Sequence, residues 1–347
     1  MKMVYVSSSS PDKTNFMYDA FLDLGGIDVQ PIFKLSNLKT SFNDTRGVIE
    51  KALDKLGRPL DKTQFNKRIY RACVEHNPDV VFVAKGNEIK PGILRKIKNK
   101  FPKTKLINWS LDDMYAKHNR TLYYTKNINQ YDLIVTTKSY NCNDDELASL
   151  GARKVLFQNN SYSPHIHRPC NNCSEVVAKH DVLFIGSAER ERAESIYKLA
   201  SSGISVDVYG AGWSKKEFKV FRHENIRYHE KALLNEEYSN AISCSKISLC
   251  FLRKINRDLQ TIRTVEIPAA KGFMLAERTD EQLNMFKEGV EAEYFSGNTE
   301  MIEKVKFYLE HDKERSTIAE NARQRCLDGG YSFTERAKQI LSELRFT

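Results

Sequence analysis

The sequence predicts an α/β protein of two doubly wound, Rossmann-like domains, and three observations carry that expectation. Near-continuous apolar runs of strand length alternate with amphipathic segments of helical length, as in parallel sheets buried on both faces. The alternation stops once, across an Asn-, Ser- and Pro-rich stretch at 158–181, and then resumes. At 347 residues the chain has room for about two domains of ordinary size.

In chain order, the first series of strands is expected at 3–7, 79–84, 105–110, 132–137 and 154–158. Amphipathic spacers at 62–76 and 139–151 read as helices between them. The second series falls at 181–186, 206–210, 247–251 and 272–276. Residues 298–345 are helical in pattern, and the last segment opens on Ser332 with Glu335 three residues on, the spacing of a capping box. The expected division is an N-terminal domain at 1–160, a linker at 161–180, a second domain at 181–330, and a C-terminal helix at 331–347 that could cross back to the first domain. Ligands of open α/β sheets bind outside the carboxyl ends of the strands, so two such sheets make the cleft between domains the expected site.

Composition narrows the class. A hydrophobic content of 41% with 29% charged residues describes a globular protein, and no apolar stretch approaches the ~18 residues of a membrane span. The opening MKMVYVSSSSPD is too short in its apolar part for a secretory signal and reads as a first strand and loop. Seven scattered cysteines fit a reducing compartment better than a disulfide framework, so a cytoplasmic location is expected. The formal charge of +9 leaves nucleotides, phospholipid head groups and nucleic acid open as anionic partners.

One stretch raises a physical question. TIRTVEIPAAKGFMLAER, residues 261–278, sets Glu266 in an apolar run, and a buried unpaired charge costs several kcal/mol. Read as a helix at 261–271 followed by a strand, it puts Arg263 and Glu266 on one face near a helix N-terminus. That arrangement suits a phosphate for the arginine fork and a pair of vicinal hydroxyls for the carboxylate. A plain Arg–Glu helix pair, worth about 0.3 kcal/mol, is the competing reading.

The same stretch resembles the signature of the spore-maturation-type group 1 glycosyltransferases, enzymes of the two-Rossmann-domain GT-B fold. Arg263, two residues, Glu266, a small apolar helix, Gly272, a strand and the tail Glu277-Arg278-Thr279-Asp280-Glu281 follow in order, and EGVEAEYF at 288–295 matches as well. A second block, 108–169, resembles the N-terminal half of that family, from the Asp112-Asp113 pair to the His-Arg-Pro linker. The resemblance implies a nucleotide-diphosphate sugar donor, transfer without a bound metal, and retention of anomeric configuration. It also implies that Glu266 holds the donor ribose and that Asp258, separated from it by seven residues and standing where the family usually has Glu, contacts the donor sugar; an exposed loop carboxylate beside Arg257 is the alternative.

Other candidates come from strand ends. FIGSAERER at 184–192 has the form of a backbone phosphate cradle, with Gly186 and Ser187 as the donor-phosphate loop; Arg190 and Arg192, in the first helical turns, could each face the cleft or, more simply, solvent. Lys254 or Arg253 after the strand at 247–251 would add positive charge. VYGAGWS at 208–214 has Gly210 and Gly212, but Lys215 stands at the third glycine position of a dinucleotide fingerprint, which disfavours a nicotinamide enzyme. Ser7 to Ser10 follow the first strand and could meet donor phosphate or simply form a loop. Asp112, Asp113 and His118 cluster after a strand end, where Asp113 or His118 could orient or deprotonate an acceptor hydroxyl, with helix capping as the alternative.

Two features read as bland. His165, His167, Cys170 and Cys173 resemble zinc ligands, but four ligands within nine residues are cramped, and structural sites usually draw on two separated segments. No metal or cofactor is expected. The run 95–105 carries six basic residues, which suit a solvated helix face or a peripheral contact with an anionic membrane; with Phe101 its one aromatic, nucleic acid is not favoured. A nucleotide-sugar epimerase of the same fold and a non-catalytic polyanion-binding protein stay open beside the transferase.

Overall fold

The computed structural model describes residues 1–9, 15–34, 47–173 and 180–344, and the chain divides into two compact units. The first takes Met1–Asn159 together with the segment from Phe333. Its strands are β1 (Lys2–Ser7), β2 (Asp28–Phe33), β3 (Val80–Ala84), β4 (Lys105–Ser110), β5 (Leu133–Thr136) and β6 (Val155–Phe157), all parallel, in the order β2-β1-β3-β4-β5-β6. Helices α1 (Phe16–Asp23), α2 (Val48–Lys55), α3 (Phe65–His76), α4 (Ile93–Lys100) and α5 (Leu122–Asn127) fall between them.

The second unit spans Asn160–Ser332. Strands β7 (Val182–Ile185), β8 (Val206–Tyr209), β9 (Ile226–His229), β10 (Ile247–Cys250), β11 (Met274–Glu277) and β12 (Glu293–Phe295) form a second parallel sheet, ordered β12-β11-β10-β7-β8-β9. Its helices are α6 (Arg190–Ser201), α7 (Asn235–Ser243), α8 (Arg263–Ala269), α9 (Asp280–Met285), α10 (Asn298–Glu310) and α11 (Asp312–Asp328). Apolar side chains alternate to the two faces of this sheet and feed two cores, one containing Val182, Phe184 and Leu249, the other Leu183, Ile185 and Cys250. That is why the central strands read as near-continuous apolar runs.

The last helix, α12 (Phe333–Glu343), packs in the first unit, where Phe333 stacks on Phe16 at 5.2 Å and lies edge-on to Trp109 at 6.2 Å. Residues 161–173, the described first part of the linker expected at 161–180, and Asn160, expected in the first domain, are integral to the second unit: Tyr162 bridges Ser332, and the buried Gln260 accepts from the Asn160 backbone N–H at 2.9 Å.

Two helices differ from expectation. Residues 139–151 form two short 3₁₀ turns, Ser139–Cys142 and Ala148–Leu150, because Asn, Asp and Ser side chains offer the backbone local hydrogen bonds in place of helical ones. The helical pattern of 298–345 is broken at 329–332.

The glycines at 186 and 210 owe nothing to a dinucleotide fingerprint. Gly210 has φ of +135°, and a Cβ there would lie 2.2 Å from the Gly186 carbonyl oxygen. The loops leaving β7 and β8 therefore cross in contact, and the Gly186 N–H donates to the Tyr209 carbonyl at 2.8 Å. Gly210→Ala is expected to cost at least about 1–3 kcal/mol from backbone conformation alone, read as a lower midpoint in chemical denaturation. An unchanged midpoint would mean that the two loops separate freely.

Candidate functional site

The carboxyl ends of β7, β10 and the start of α8 bring together most of the residues singled out in the second unit. Glu266 is buried at 6% exposure, and it does not pair with Arg263. Its Oε2 accepts from the Tyr238 hydroxyl at 2.7 Å, and its Oε1 lies 3.3 Å from His167 Nε2. The Ser163 backbone N–H donates to His167 Nδ1 at 2.9 Å, so Nδ1 is the acceptor nitrogen and Nε2 carries the proton toward Glu266. Two donors from outside the helix thus compensate the buried carboxylate. A carboxylate offers about four acceptor sites, which leaves lone pairs beyond these partners.

Burial pushes the His167 pKa below its ordinary value, only partly offset by Glu266. Between that lowered pKa and about 6.5 the unfolded chain binds more protons than the native one, so stability falls as pH drops below about 6.5. Thermal melts at pH 7.5 and 5.5 should show this loss in the wild type and a smaller one in His167→Gln. Equal losses would remove His167 as the cause.

Arg263 is the reverse of Glu266. Among the described residues its guanidinium makes no hydrogen bond or ion pair, and its Nε is buried without a partner. It lines a small internal cavity with Ser248, Tyr238 and Ile267. Beside it stands Arg192, left open by the sequence between cleft and solvent and here only 7% exposed. Arg192 Nη1 donates to the Ser187 carbonyl at 3.2 Å, its Nε is buried and unpartnered, and its guanidinium lies 5.8 Å from the Phe184 ring centroid. Burial lowers the Arg192 pKa, Glu189 works against that, and the nearby cations Arg263 and Arg253 lower it further. Arg190, in contrast, is exposed and pairs with Glu194.

Around these two cations, Ser187 is exposed at the end of β7 and Gly186 is buried beneath it. Arg253 donates to Glu189 at 2.9 Å, and Lys254 pairs with Glu277 at 3.2 Å. Asp258 is buried and accepts from the Arg253 backbone N–H at 3.3 Å, so it fastens the turn after β10 and is no exposed loop carboxylate. The expected anion site on α8 itself is reduced: the helix has seven residues, and the N–H groups of Thr264, Val265 and Glu266 already donate to the preceding turn. Positive charge here comes from side chains.

In the first unit, Asp113 is fully buried. Its Oδ1 accepts from the N–H groups of Tyr115 at 3.1 Å and Ala116 at 3.3 Å and from Asn141 Nδ2 at 3.0 Å. It therefore closes the turn that carries His118, and the capping alternative describes it. His118 is exposed, and Asp112 pairs with Lys85 at 2.7 Å. Ser7 donates to Asn15 and Ser8 to Glu88, while Ser10 lies outside the described residues. In the basic run, Leu94 and Ile97 of α4 are buried, Lys98 pairs with Asp132 at 2.7 Å, and Arg95, Lys96, Lys100 and Lys103 are exposed.

Residues 190–342 match the family model described as glycosyl transferase-like. Several solved structures align with essentially the whole chain. The Anabaena protein HepE in complex with UDP does so with a TM-score of 0.62 and 11% identity, covering 100% of both chains. A glycosyltransferase from Rickettsia africae aligns with a TM-score of 0.64 at 12% identity, over 99% of this chain and 97% of that one. Sucrose-phosphate synthase from Thermosynechococcus elongatus aligns with a TM-score of 0.66 at 9% identity, over 99% and 98%. The fold is GT-B. At such identities the likeness speaks for architecture: each unit is a Rossmann-like half of that fold. No curated protein matches the chain in sequence. No helix among the described residues is long and apolar enough to cross a membrane.

Of the sequence-predicted residues, Gly186, Ser187, Lys254, Asp258, Arg263 and Glu266 thus fall around the strand ends of the second unit, and Asp113 and His118 belong to the first. Tyr238 and His167 are the site residues that sequence reasoning missed, and Arg192 was left between cleft and solvent. Only the position of Arg192, in the first turn after a Gly-Ser strand end, was a usable signal.

Proposed function

We propose that the protein is a glycosyltransferase of the group 1, spore-maturation-type lineage, taking a sugar from a nucleotide-diphosphate sugar to an acceptor hydroxyl without a metal ion. The observation that carries the reading is the unpaired Arg263 guanidinium beside the buried Arg192. Arg192 is paired with Glu189 at 3.5 Å, but Arg263 has no such partner among the described residues; a protein holds an uncompensated cation at the end of a sheet at a cost, and an anionic ligand compensates it. The glycosyl transferase-like match over 190–342 and the HepE structure in complex with UDP-glucose support a nucleotide sugar as that ligand.

In this mechanism the diphosphate leaves as the glycosidic bond to the donor sugar breaks, and its growing charge is met by Arg263 and Arg192. The Ser187 N–H and hydroxyl add donors, and Lys254 lies on the next strand end. Glu266, held by Tyr238 and His167, accepts from the ribose hydroxyls. Asp258 fixes the β10 turn against the sugar, and the configuration at the transferred carbon is retained. On the acceptor side, Asp113 is a positioning residue for the turn that presents His118 to the acceptor. The acceptor is a hydroxyl on a glycan, a lipid-linked sugar or a protein, and the exposed lysines of α4 suit one held at an anionic membrane surface.

Incubation with UDP-, GDP-, ADP- and TDP-sugars in excess chelator should release free nucleoside diphosphate from one donor class, and NMR of the product should show the donor's anomeric configuration. Activity that appears only when a divalent cation is restored would overturn metal independence. Conversion of the sugar nucleotide to an epimer without release of diphosphate would install the epimerase instead.

A further inference from the structure

Three cysteines meet at the opposite, amino-terminal end of the second sheet's strands. The sulfur atoms of Cys170, Cys173 and Cys244 all lie within 4.8 Å of one another, and each residue is partly exposed. Cys170 and Cys173 come from a Cys-x2-Cys segment after Pro169, while Cys244 is the C-cap of α7, 71 residues beyond Cys173. The Cys170 backbone N–H donates to the Ser243 hydroxyl at 2.9 Å, which fixes the short segment against the helix end. Lys246, Lys271 and Phe273 line the same depression and precede β10 and β11 in sequence. It therefore sits at the amino ends of these strands, away from Arg263 and Glu266 at the carboxyl side.

This is the convergence that residues 165–173 alone lack. Structural zinc sites draw ligands from two separated segments, and Cys244 supplies the second. Neither histidine takes part: His165 is exposed and His167 faces Glu266. Sulfurs bound tetrahedrally at about 2.3 Å from a zinc ion stand about 3.8 Å apart, so three sulfurs within 4.8 Å of one another need little movement, Cys173 and Cys244 separating once their disulfide is reduced. Three protein ligands leave the fourth corner to water.

We propose that Cys170, Cys173 and Cys244 form a three-thiolate site for a thiophilic divalent cation of the zinc class, filled when all three are reduced. In the structure Cys173 and Cys244 are joined as a disulfide, against the expectation that the cysteines stay unpaired, and that bond is the metal-free alternative state. A dithiol reductant supplies two electrons and two protons to open it, becoming a disulfide itself and leaving two protein thiols. The cation then binds three sulfurs and displaces their protons to solvent. In either state the segment 170–173 is fastened to the end of α7, the helix whose Tyr238 holds Glu266.

The test uses the full chain, reduced and stripped with a chelator, and titrated anaerobically with cobalt(II). The expected result is one equivalent bound, with sulfur-to-cobalt charge-transfer absorption that zinc displaces and a melting temperature that rises with zinc. Cys170→Ser, Cys173→Ser and Cys244→Ser should each weaken binding more than about 100-fold, because even outer-shell partners of a metal cost roughly 10–100-fold. Cys142→Ser, which removes an exposed cysteine outside the cluster, should bind as the wild type does. Cys170→Ser keeps the disulfide pair, so its fold can be verified in the oxidised state. Absence of the charge-transfer band from reduced, folded wild type would overturn the proposal, as would full binding by folded Cys170→Ser or Cys244→Ser.

Discussion

Arg263→Met is expected to weaken nucleotide-diphosphate binding roughly 100-fold while leaving the ligand-free protein as stable as the wild type or more so. The affinity loss follows from removing a forked, charge-assisted contact worth about 3 kcal/mol, where 1.4 kcal/mol is tenfold. The stability forecast follows from the opposite fact in the free protein. The guanidinium has no hydrogen bond or ion pair among the described residues and lowers the pKa of its neighbour Arg192, so it is a liability without ligand. Methionine keeps an apolar stem at the cavity that Arg263 lines with Ile267 and Leu249. Arg263→Lys should recover only part of the affinity, since an ammonium cannot grip two oxygens in one plane. Denaturant midpoints and nucleotide titrations on the three proteins separate the two effects; a large drop in stability for Arg263→Met would make the arginine a structural residue.

The second large effect is at Glu266. Glu266→Ala strands the Tyr238 hydroxyl and the His167 Nε2–H in a buried pocket, at about 1–3 kcal/mol each. Chemical denaturation should show a loss of that size, and Glu266→Gln a smaller one because its amide oxygen still accepts from Tyr238. If Glu266 also holds ribose, both variants should bind nucleotide roughly 10–100-fold more weakly. Unchanged affinity in folded Glu266→Gln would confine the residue to fastening the 160s segment. Arg263 and Glu266 thus make opposite forecasts for stability and the same forecast for donor affinity, a combination that a simple helix salt bridge does not give.

The fold was legible where strands are central. β3 and β7 are covered on both faces, so their sequences run apolar without a break, and β4 and β10 are interrupted only by the buried Asn108 and Ser248 and by polar residues at the ends of β4. The unforeseen strands β2, β9 and β12 all lie at sheet edges, where one side has no hydrogen-bonded neighbour and the apolar run shortens. β2 even contains Pro31, which an edge tolerates and a central strand does not.

The site was less legible, for a different reason. Arg263 and Glu266 announced themselves as charges in an apolar run. What separates the pair in space is Tyr238, 28 residues away, and His167 across the former linker, which no local spacing reveals. Arg192 looked like any first-turn arginine beside Arg190; the two positions between them, about half a helical turn, put one cation in solvent and the other under the Ser187 carbonyl. Asp113 looked like a strand-end acid, yet three donors, one of them from Asn141, enclose it. The same distance effect hid Cys244 from the Cys-x2-Cys segment.

The most direct test of the central claim is calorimetric titration of metal-free protein with UDP, GDP, ADP and TDP, on the wild type and on Arg263→Met. Saturable binding of one nucleotide by the wild type, lost in the folded variant, is the predicted result. No binding by folded wild type, or equal affinity in Arg263→Met, would contradict a diphosphate site built on Arg263.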